Sequence, residues 1–377
     1  MNKRTDFLPY STQWISDEDI EAVVETLKSP FLTTGPKVKE FEEVVARYVG
    51  AKYAVSFANG TAALHAACYA AGVSEGDEVI TTPITFAASA NCARYMGANI
   101  VFADIDEQTY NIDPHEIEKK ITAKTKAIIP VDFTGQPVDI DAIMAIARAN
   151  NVVVIEDGAH SLGADYKERK VGVTADMTMF SFHPVKPVTT GEGGIIVTNN
   201  PDYYEKLLLF RGHGITHTPY AEEQGGWYYE MLDLGFNYRM TDIQAALGIS
   251  QMSKLDSFIA KRQKLAAYYT EKLMTIKGVT APHQLLDTQS GWHLYSVQLD
   301  PAVLGKSRKQ IFEELRSANI GVHVHYIPVY WHPYYQGLGY ERGLCPKAEK
   351  WYEQALTLPI HPQMDEEDID IVLGYFK

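Results

Sequence analysis

The sequence predicts an α/β protein, a mostly parallel seven-stranded sheet followed by a smaller α+β unit, and three observations carry that prediction. From Tyr53 onward, short apolar runs of strand length alternate with stretches of helical period. Such alternation fits a sheet covered on both faces, with ligands outside the carboxyl ends of its strands. The 377 residues are enough for two units with a sizeable core. Two of the apolar runs also end in residues able to do chemistry, Asp157 and, beyond a short loop, Lys186.

The chain opens with a helix capped by Ser16, its first turn filled by Asp17, Glu18 and Asp19, with Ile20, Val23, Val24 and Leu27 on one face. A polar turn, Leu32-Thr33-Thr34-Gly35, leads to a second helix begun by Pro36 and closed by Gly50. Strands are expected at 53–57, 78–81, 100–103, 127–131, 152–155, 177–182 and 194–198. Helices are expected between the earlier ones, at 64–71, 86–96, 114–121 and 140–150. Segment 213–234 is polar and aromatic without clear period, the kind of long loop that sits at a site or a subunit contact. Residues 241–273 read as one extended helical region. A strand at 292–299, a helix at 307–317, a strand at 322–326 and helices at 348–355 and 366–375 complete the chain. The division expected is a large unit over 1–250 and a small one over 251–377.

With 46% apolar and 22% charged residues the composition is that of an ordinary globular protein. No apolar run reaches membrane-spanning length, and the N-terminus lacks the continuous apolar core of a signal peptide, so a cytoplasmic protein without membrane attachment is expected. Cys68, Cys92 and Cys345 are scattered, as buried thiols would be, not a disulfide frame. Thirty-four basic against 48 acidic residues give a net charge of −14, which disfavours nucleic acid as a partner and requires any anionic ligand to be held by a local site.

The chemistry concentrates at 181–194, Ser-Phe-His-Pro-Val-Lys-Pro-Val-Thr-Thr-Gly-Glu-Gly-Gly. It follows a buried-strand pattern, and Pro184 and Pro187 forbid both ladder pairing and a helix, which places Lys186 on a stiff loop. Upstream, Val152-Val153-Val154-Ile155 ends in Glu156 and Asp157, and the following Gly158 to Gly163 is too poor a helix for Asp157 to be merely its cap. A buried carboxylate needs a charged or hydrogen-bonding partner. A carboxylate at one strand end and an amine at another suit pyridoxal 5'-phosphate: the acid keeps the pyridine nitrogen protonated and the lysine forms the Schiff base. His160 could then donate to the phenolic oxygen of the ring. A lone histidine is more often a satisfied structural residue.

At Ala58-Asn59-Gly60-Thr61 a strand gives way to a helix whose bare first amides suit a phosphate, although a plain glycine-containing turn would read the same. Phe86, after Thr81-Thr82-Pro83-Ile84-Thr85, is either core or a ring that stacks on a flat heteroaromatic. His323 and His325 alternate on the expected strand and are followed by Tyr326, Tyr330, Trp331, Tyr334 and Tyr335. No third ligand stands near, so a metal site is not expected. The segment suits stacking on a base or sugar face, or the core of the small unit.

Together these residues resemble the DegT/DnrJ/EryC1/StrS family of sugar aminotransferases, which have the type I fold of pyridoxal phosphate enzymes. The likeness spans nearly the whole chain. It rests on Leu-Thr-Thr-Gly-Pro (32–36), Asn-Gly-Thr-Ala-Ala-Leu (59–64), Thr-Thr-Pro-Ile-Thr-Phe (81–86), Glu-Asp-Gly-Ala-His (156–160), Ser-Phe-His-Pro-Val-Lys (181–186), Gly-Phe-Asn-Tyr-Arg-Met-Thr-Asp (235–242), His-Leu-Tyr (293–295) and Leu-Pro-Ile-His-Pro (358–362). Within the family it is most similar to members acting in pseudaminic acid biosynthesis. The resemblance implies transfer of an amino group from L-glutamate, leaving 2-oxoglutarate, to a UDP-linked 4-keto-6-deoxy hexosamine, in a homodimer with shared active sites. It implies Lys186 as the Schiff-base lysine, Asp157 at the pyridine nitrogen, His160 beside the ring oxygen and Phe86 stacked on the ring. Gly60, Thr61 and Ser181 would hold the phosphate, joined by Asn237 from the other subunit. Tyr10, Thr34, Arg239, His325 and Tyr326 are its candidates for substrate contact. Many members carry Gln at position 160, and Gly158 replaces a more usual Ala or Ser.

Other readings compete. A sugar dehydratase of the same scaffold would carry histidine in place of Lys186. A non-catalytic cofactor-binding protein would not need both Lys186 and Asp157. An NAD-dependent enzyme would need Gly-x-Gly-x-x-Gly after the first strand, which is missing.

Overall fold

The computed structural model describes residues 4–376. Seven strands form the main sheet: β1 (Tyr53–Phe57), β2 (Glu78–Thr81), β3 (Asn99–Phe102), β4 (Thr125–Ile129), β5 (Val153–Asp157), β6 (Met177–Ser181) and β7 (Gly194–Thr198). Their order is β1-β7-β6-β5-β4-β2-β3. β7 runs antiparallel to both neighbours, and all other pairs are parallel. The strands are buried almost throughout, as sheets covered on both faces are.

Helices α1 (Asp17–Lys28), α2 (Pro36–Val49), α3 (Gly60–Ala70), α4 (Ala88–Tyr95), α5 (Pro114–Lys120) and α6 (Ile140–Asn150) begin and end largely where their signals stand. Ser16 and Asp19 form a capping box on α1, and Gly50, at φ 80°, closes α2 in the left-handed conformation. The inward face of α1 was not legible. Asp19 and Thr26 are its buried side chains, whereas Ile20, Val24 and Leu27 are exposed. Asp19 is held by Ser250, Gln251 and Lys254, so polar bonding decides the packing of this helix on the chain.

Beyond β7 come α7 (Pro201–Arg211) and α8 (Pro219–Gln224), the latter inside a short hairpin that pairs Ile215–Thr216 with Glu230–Met231. The expected single helix over 241–273 is two, α9 (Asp242–Met252) and α10 (Leu255–Leu273), and at the break Lys254 reaches Asp19. Downstream, Tyr295–Leu299 pairs with Ala355–Leu358, a strand of which the sequence pattern assigned Ala355 to the end of a helix and left 356–358 without an element. The expected strand at 322–326 is replaced by a single bridge, His323 to Thr357. Pro328, with no amide to donate, lies just beyond it. A separate apolar cluster gathers Leu8 with Leu265, Tyr269, Val297, Leu315, Leu356 and other residues up to Phe376.

Candidate active site

The carboxyl ends of β5 and β6 lie side by side, with Asp157 in register with Met179. Lys186 follows β6 on a loop tied at both sides: its amide donates to the His183 carbonyl at 2.9 Å, and the Ser11 hydroxyl donates to the Val185 carbonyl at 3.0 Å. Its side chain is half-buried, and its Nζ lies 3.5 Å from His293 Nε2. Burial brings the ammonium down to about 8, against the opposing pull of Asp157.

Asp157 is 4% exposed. Its Oδ2 accepts from Ser89 Oγ at 2.6 Å and its Oδ1 from the Ala159 amide at 3.1 Å. Burial raises its pKa, while those donors and the Lys186 charge oppose the rise. Among the described residues no cation lies within ion-pair distance of it. His160 and His293 face each other with ring centroids 4.5 Å apart. Both stay neutral through burial and the nearby Lys186 charge, and the Nδ1 atom of each is buried without a hydrogen-bond partner. The Tyr326 hydroxyl lies 3.3 Å from His160 Nε2.

Close to this cluster, Asn59 caps α3 by accepting from the Ala62 amide, which leaves the amides of Gly60 and Thr61 outside the intrahelical ladder. A Cβ at Gly60 would come within 3.4 Å of Ser181 Cβ, and one at Gly194 within 2.6 Å of the Asn59 carbonyl, so both glycines permit close backbone approach. Phe86, one residue before the N-cap of α4, is 63% exposed and lies 6.4 Å from the Tyr326 ring.

These features fit a phosphorylated pyridine aldehyde. The buried Asp157 has donors but no cation, the Lys186 amine is readily deprotonated, the exposed face of Phe86 is free to stack, and Gly60, Thr61 and Ser181 offer polar groups and little bulk for an anion. Tyr10 stands 5.3 Å from the ring of buried His325 and 5.8 Å from His323. Thr34, at φ 55°, and Asn237 are exposed, and Arg239 is half-buried. None of these three has a side-chain hydrogen bond to Lys186, Asp157 or Ser181 among the described residues. Sequence reasoning missed Thr85, Ser89 and His293 as site residues. Thr85 and Ser89 flank Phe86 by one and three positions, and His293 stood in a recognised motif without a role.

The sequence profile of the DegT/DnrJ/EryC1/StrS aminotransferase family matches residues 13–377. The chain is 42% identical to the spore coat polysaccharide biosynthesis protein SpsC of Bacillus subtilis, covering 99% of this chain and 97% of that one. It is 40% identical to the UDP-4-amino-4,6-dideoxy-N-acetyl-beta-L-altrosamine transaminase of Campylobacter jejuni, covering 97% and 95%. Helicobacter pylori PseC, an aminotransferase involved in the biosynthesis of pseudoaminic acid, superimposes with a TM-score of 0.92 at 34% identity over 98% of this chain and 99% of that one. The PLP form of a putative sugar aminotransferase of Streptococcus pneumoniae, Spr1654, superimposes with a TM-score of 0.91 at 32% identity, covering 98% of each chain.

Proposed function

The chain belongs to the DegT/DnrJ/EryC1/StrS aminotransferase family, as a pyridoxal phosphate-dependent enzyme of type I fold, and on that premise we propose its substrate and the roles of its residues. It moves an amino group from L-glutamate to a UDP-linked 4-keto-6-deoxy-N-acetylhexosamine, in a route to pseudaminic acid. The likeness to the Campylobacter transaminase and to PseC supports that substrate. The 42% identity to SpsC favours, as a second reading, another nucleotide-linked keto sugar destined for a polysaccharide.

The observation that carries the residue roles is the pairing of a readily deprotonated Lys186 with a buried Asp157, which has no cation within ion-pair distance among the described residues, at adjacent strand ends. When bound, pyridoxal phosphate supplies an electron-accepting ring conjugated to the carbon that gains or loses a proton. Asp157 holds the proton on the ring nitrogen. Lys186, as free amine, takes the proton from the alpha carbon of glutamate and returns it on the other side of the C–N bond. His160 orients the ring oxygen, Phe86 covers one face, and the amides of Gly60 and Thr61 with the Ser181 hydroxyl take the phosphate. Tyr10, Thr34, Arg239, His325 and Tyr326 line the route of the sugar nucleotide.

Two copies complete the site. Ile20, Val24 and Leu27 on α1, and Trp227, Met231 and Leu234 around the hairpin, are exposed apolar side chains suited to cover by a second copy. Asn237, exposed in its own subunit, reaches the phosphate in the partner's site. A large unit over 1–250 and a small one over 251–377 are part of this reading, supported by the separate apolar cluster that draws on the second unit and Leu8. So is a cytoplasmic location. Among the described residues no helix is long and apolar enough to cross a membrane.

Visible absorption before and after L-glutamate, with Lys186→Ala alongside, tests the residue roles. A band that bleaches only in the parent protein is expected, and identical behaviour of the variant would overturn them. UDP-, GDP- and dTDP-linked keto sugars, followed by mass, test the substrate. Amination of non-UDP donors alone would overturn it.

A further inference from the structure

We infer that Thr85 and Ser89 form a hydrogen-bond relay that keeps Asp157 the ionised member of a buried trio of carboxyls, and so act as positioning residues for the charge facing the cofactor's ring nitrogen. The inference rests on the proposed role of Asp157 and adds what makes that role tenable in a crowded acidic interior.

Asp132, Glu156 and Asp157 are all buried, at 0%, 2% and 4% exposure, and three carboxylates so close cannot all carry charge. Their donors differ. Among the described residues Glu156 accepts from the Thr178 hydroxyl alone, at 2.8 Å. Asp132 accepts from the Ser161 hydroxyl at 2.5 Å and the Val138 amide at 2.9 Å. Asp157 accepts from the Ser89 hydroxyl at 2.6 Å and the Ala159 amide at 3.1 Å, and Lys186 is the nearby positive group.

Besides the Lys186 charge, what separates Asp157 from Asp132 is the group behind the serine. Ser89 has one proton, and an ionised Asp157 can only accept, so that proton points to the carboxylate. Thr85 Oγ1 lies 2.7 Å from Ser89 Oγ and must then donate to it. Each serine also lies 3.3 Å from a carbonyl, Phe86 behind Ser89 and Gly158 behind Ser161, but among the described residues only Ser89 has a hydroxyl feeding it. Aligned hydroxyls polarise one another, and both are buried beyond competition from water, with Thr85 3% and Ser89 1% exposed. The other titratable groups facing Asp157 are Cys92 on α4 and Tyr326, and burial keeps both neutral. Burial raises all three carboxyls, Asp132 to about 7 and Glu156 well above the usual range, and neighbouring carboxylates add to those two rises; at Asp157 the Lys186 charge instead opposes the rise. Phe86 sits between the two relay residues, so one turn of chain presents the stacking ring and fixes the acid's charge.

The test uses holoenzyme carrying pyridoxal phosphate labelled with 15N in the ring, whose chemical shift reports protonation of that nitrogen directly. In Ser89→Ala the pyridinium signal should move toward neutral pyridine, and the glutamate half-reaction should slow about tenfold or more, as loss of a hydrogen bond to a charged group predicts. Ser89→Thr, which keeps the hydroxyl, should restore both. Thr85→Val, which leaves Ser89 in place, should move both in the same direction by a smaller amount. A parent-like 15N shift and rate in Ser89→Ala would overturn the relay. Should that variant not hold cofactor, parent-like behaviour of Thr85→Val would do the same. A parent enzyme without a pyridinium signal, or Asp157→Asn with an unchanged one, would overturn the assignment of Asp157 itself and the relay with it.

Discussion

Lys186 Nζ and His293 Nε2 face each other at 3.5 Å in a region where both groups are held below their ordinary pKa values. Burial is the main cause for each, and each positive charge would oppose the other, so the pair carries one proton at most. His293 is kept in place from behind: Arg262 Nη1 donates to its carbonyl at 3.3 Å, to that of Trp292 at 3.2 Å and to that of Ile360 at 2.8 Å. The reactive amine thus rests on a neutral histidine, which rests on a buried cation.

Capture of pyridoxal phosphate by the apoprotein should depend on pH through Lys186. Its folded pKa, about 8, lies below the ordinary lysine value, so the reactive neutral amine is scarce below pH 8 and dominant above it. Stopped-flow capture rates should rise about tenfold per pH unit up to about pH 8 and then level off. A profile still rising through pH 10 would show an ordinary lysine.

Replacing His293 should move that profile. In His293→Phe the ammonium loses the one side-chain hydrogen-bond neighbour it has among the described residues and sits in a more apolar setting, so its pKa should fall below 8 and the capture profile shift to lower pH. His293→Gln, which keeps a polar atom there, should stay closer to the parent. The same pH titration of both variants decides it, and superimposable profiles would remove His293 from the site.

Arg262 is 1% exposed and, among the described residues, has no carboxylate partner; burial lowers it to about 10. Its bonds run to three carbonyls and, at 3.4 Å, to the Ser11 hydroxyl. Arg262→Met leaves those acceptors unpaired and should lower unfolding stability by about 2–4 kcal/mol in denaturant titrations, against the relief of a buried charge. A loss under ~0.5 kcal/mol would mean that the carbonyls find other donors.

Charging the outer face of α1 should separate subunits without unfolding them. Ile20 and Leu27 are each 53% exposed in the single chain, so Ile20→Asp with Leu27→Asp should cost the isolated fold little. Analytical ultracentrifugation should then find a single-chain species, with weakened cofactor retention as the proposed reach of Asn237 into its neighbour's site requires. A dimer unchanged in mass and affinity would place the interface elsewhere.

Much of the fold was legible because its signals are local. The seven strands lie within two residues of where alternation placed them, and Pro36, Gly50 and Ser16 sit at the helix ends they marked. The strand Ala355–Leu358 was not found because its partner, Tyr295–Leu299, lies about sixty residues away and the helix Pro346–Gln354 runs straight into it. Segment 322–326 erred in the other direction. Its alternation is real, but only His323 finds a partner.

The sequence by itself determined the period of each element, the stiff loop under Lys186 and the acid ending β5, because proline, glycine and apolar spacing act on neighbours along the chain. Only the tertiary structure decided which groups surround that lysine and that acid. Ser89 meets Asp157 across 68 residues and His293 meets Lys186 across 107, and no local preference encodes such meetings. The tertiary structure likewise turned the apolar stripe of α1 outward. An amphipathic pattern tells that a stripe must be covered, but the bonds of Asp19 to Ser250, Gln251 and Lys254 decide which side the rest of the chain takes.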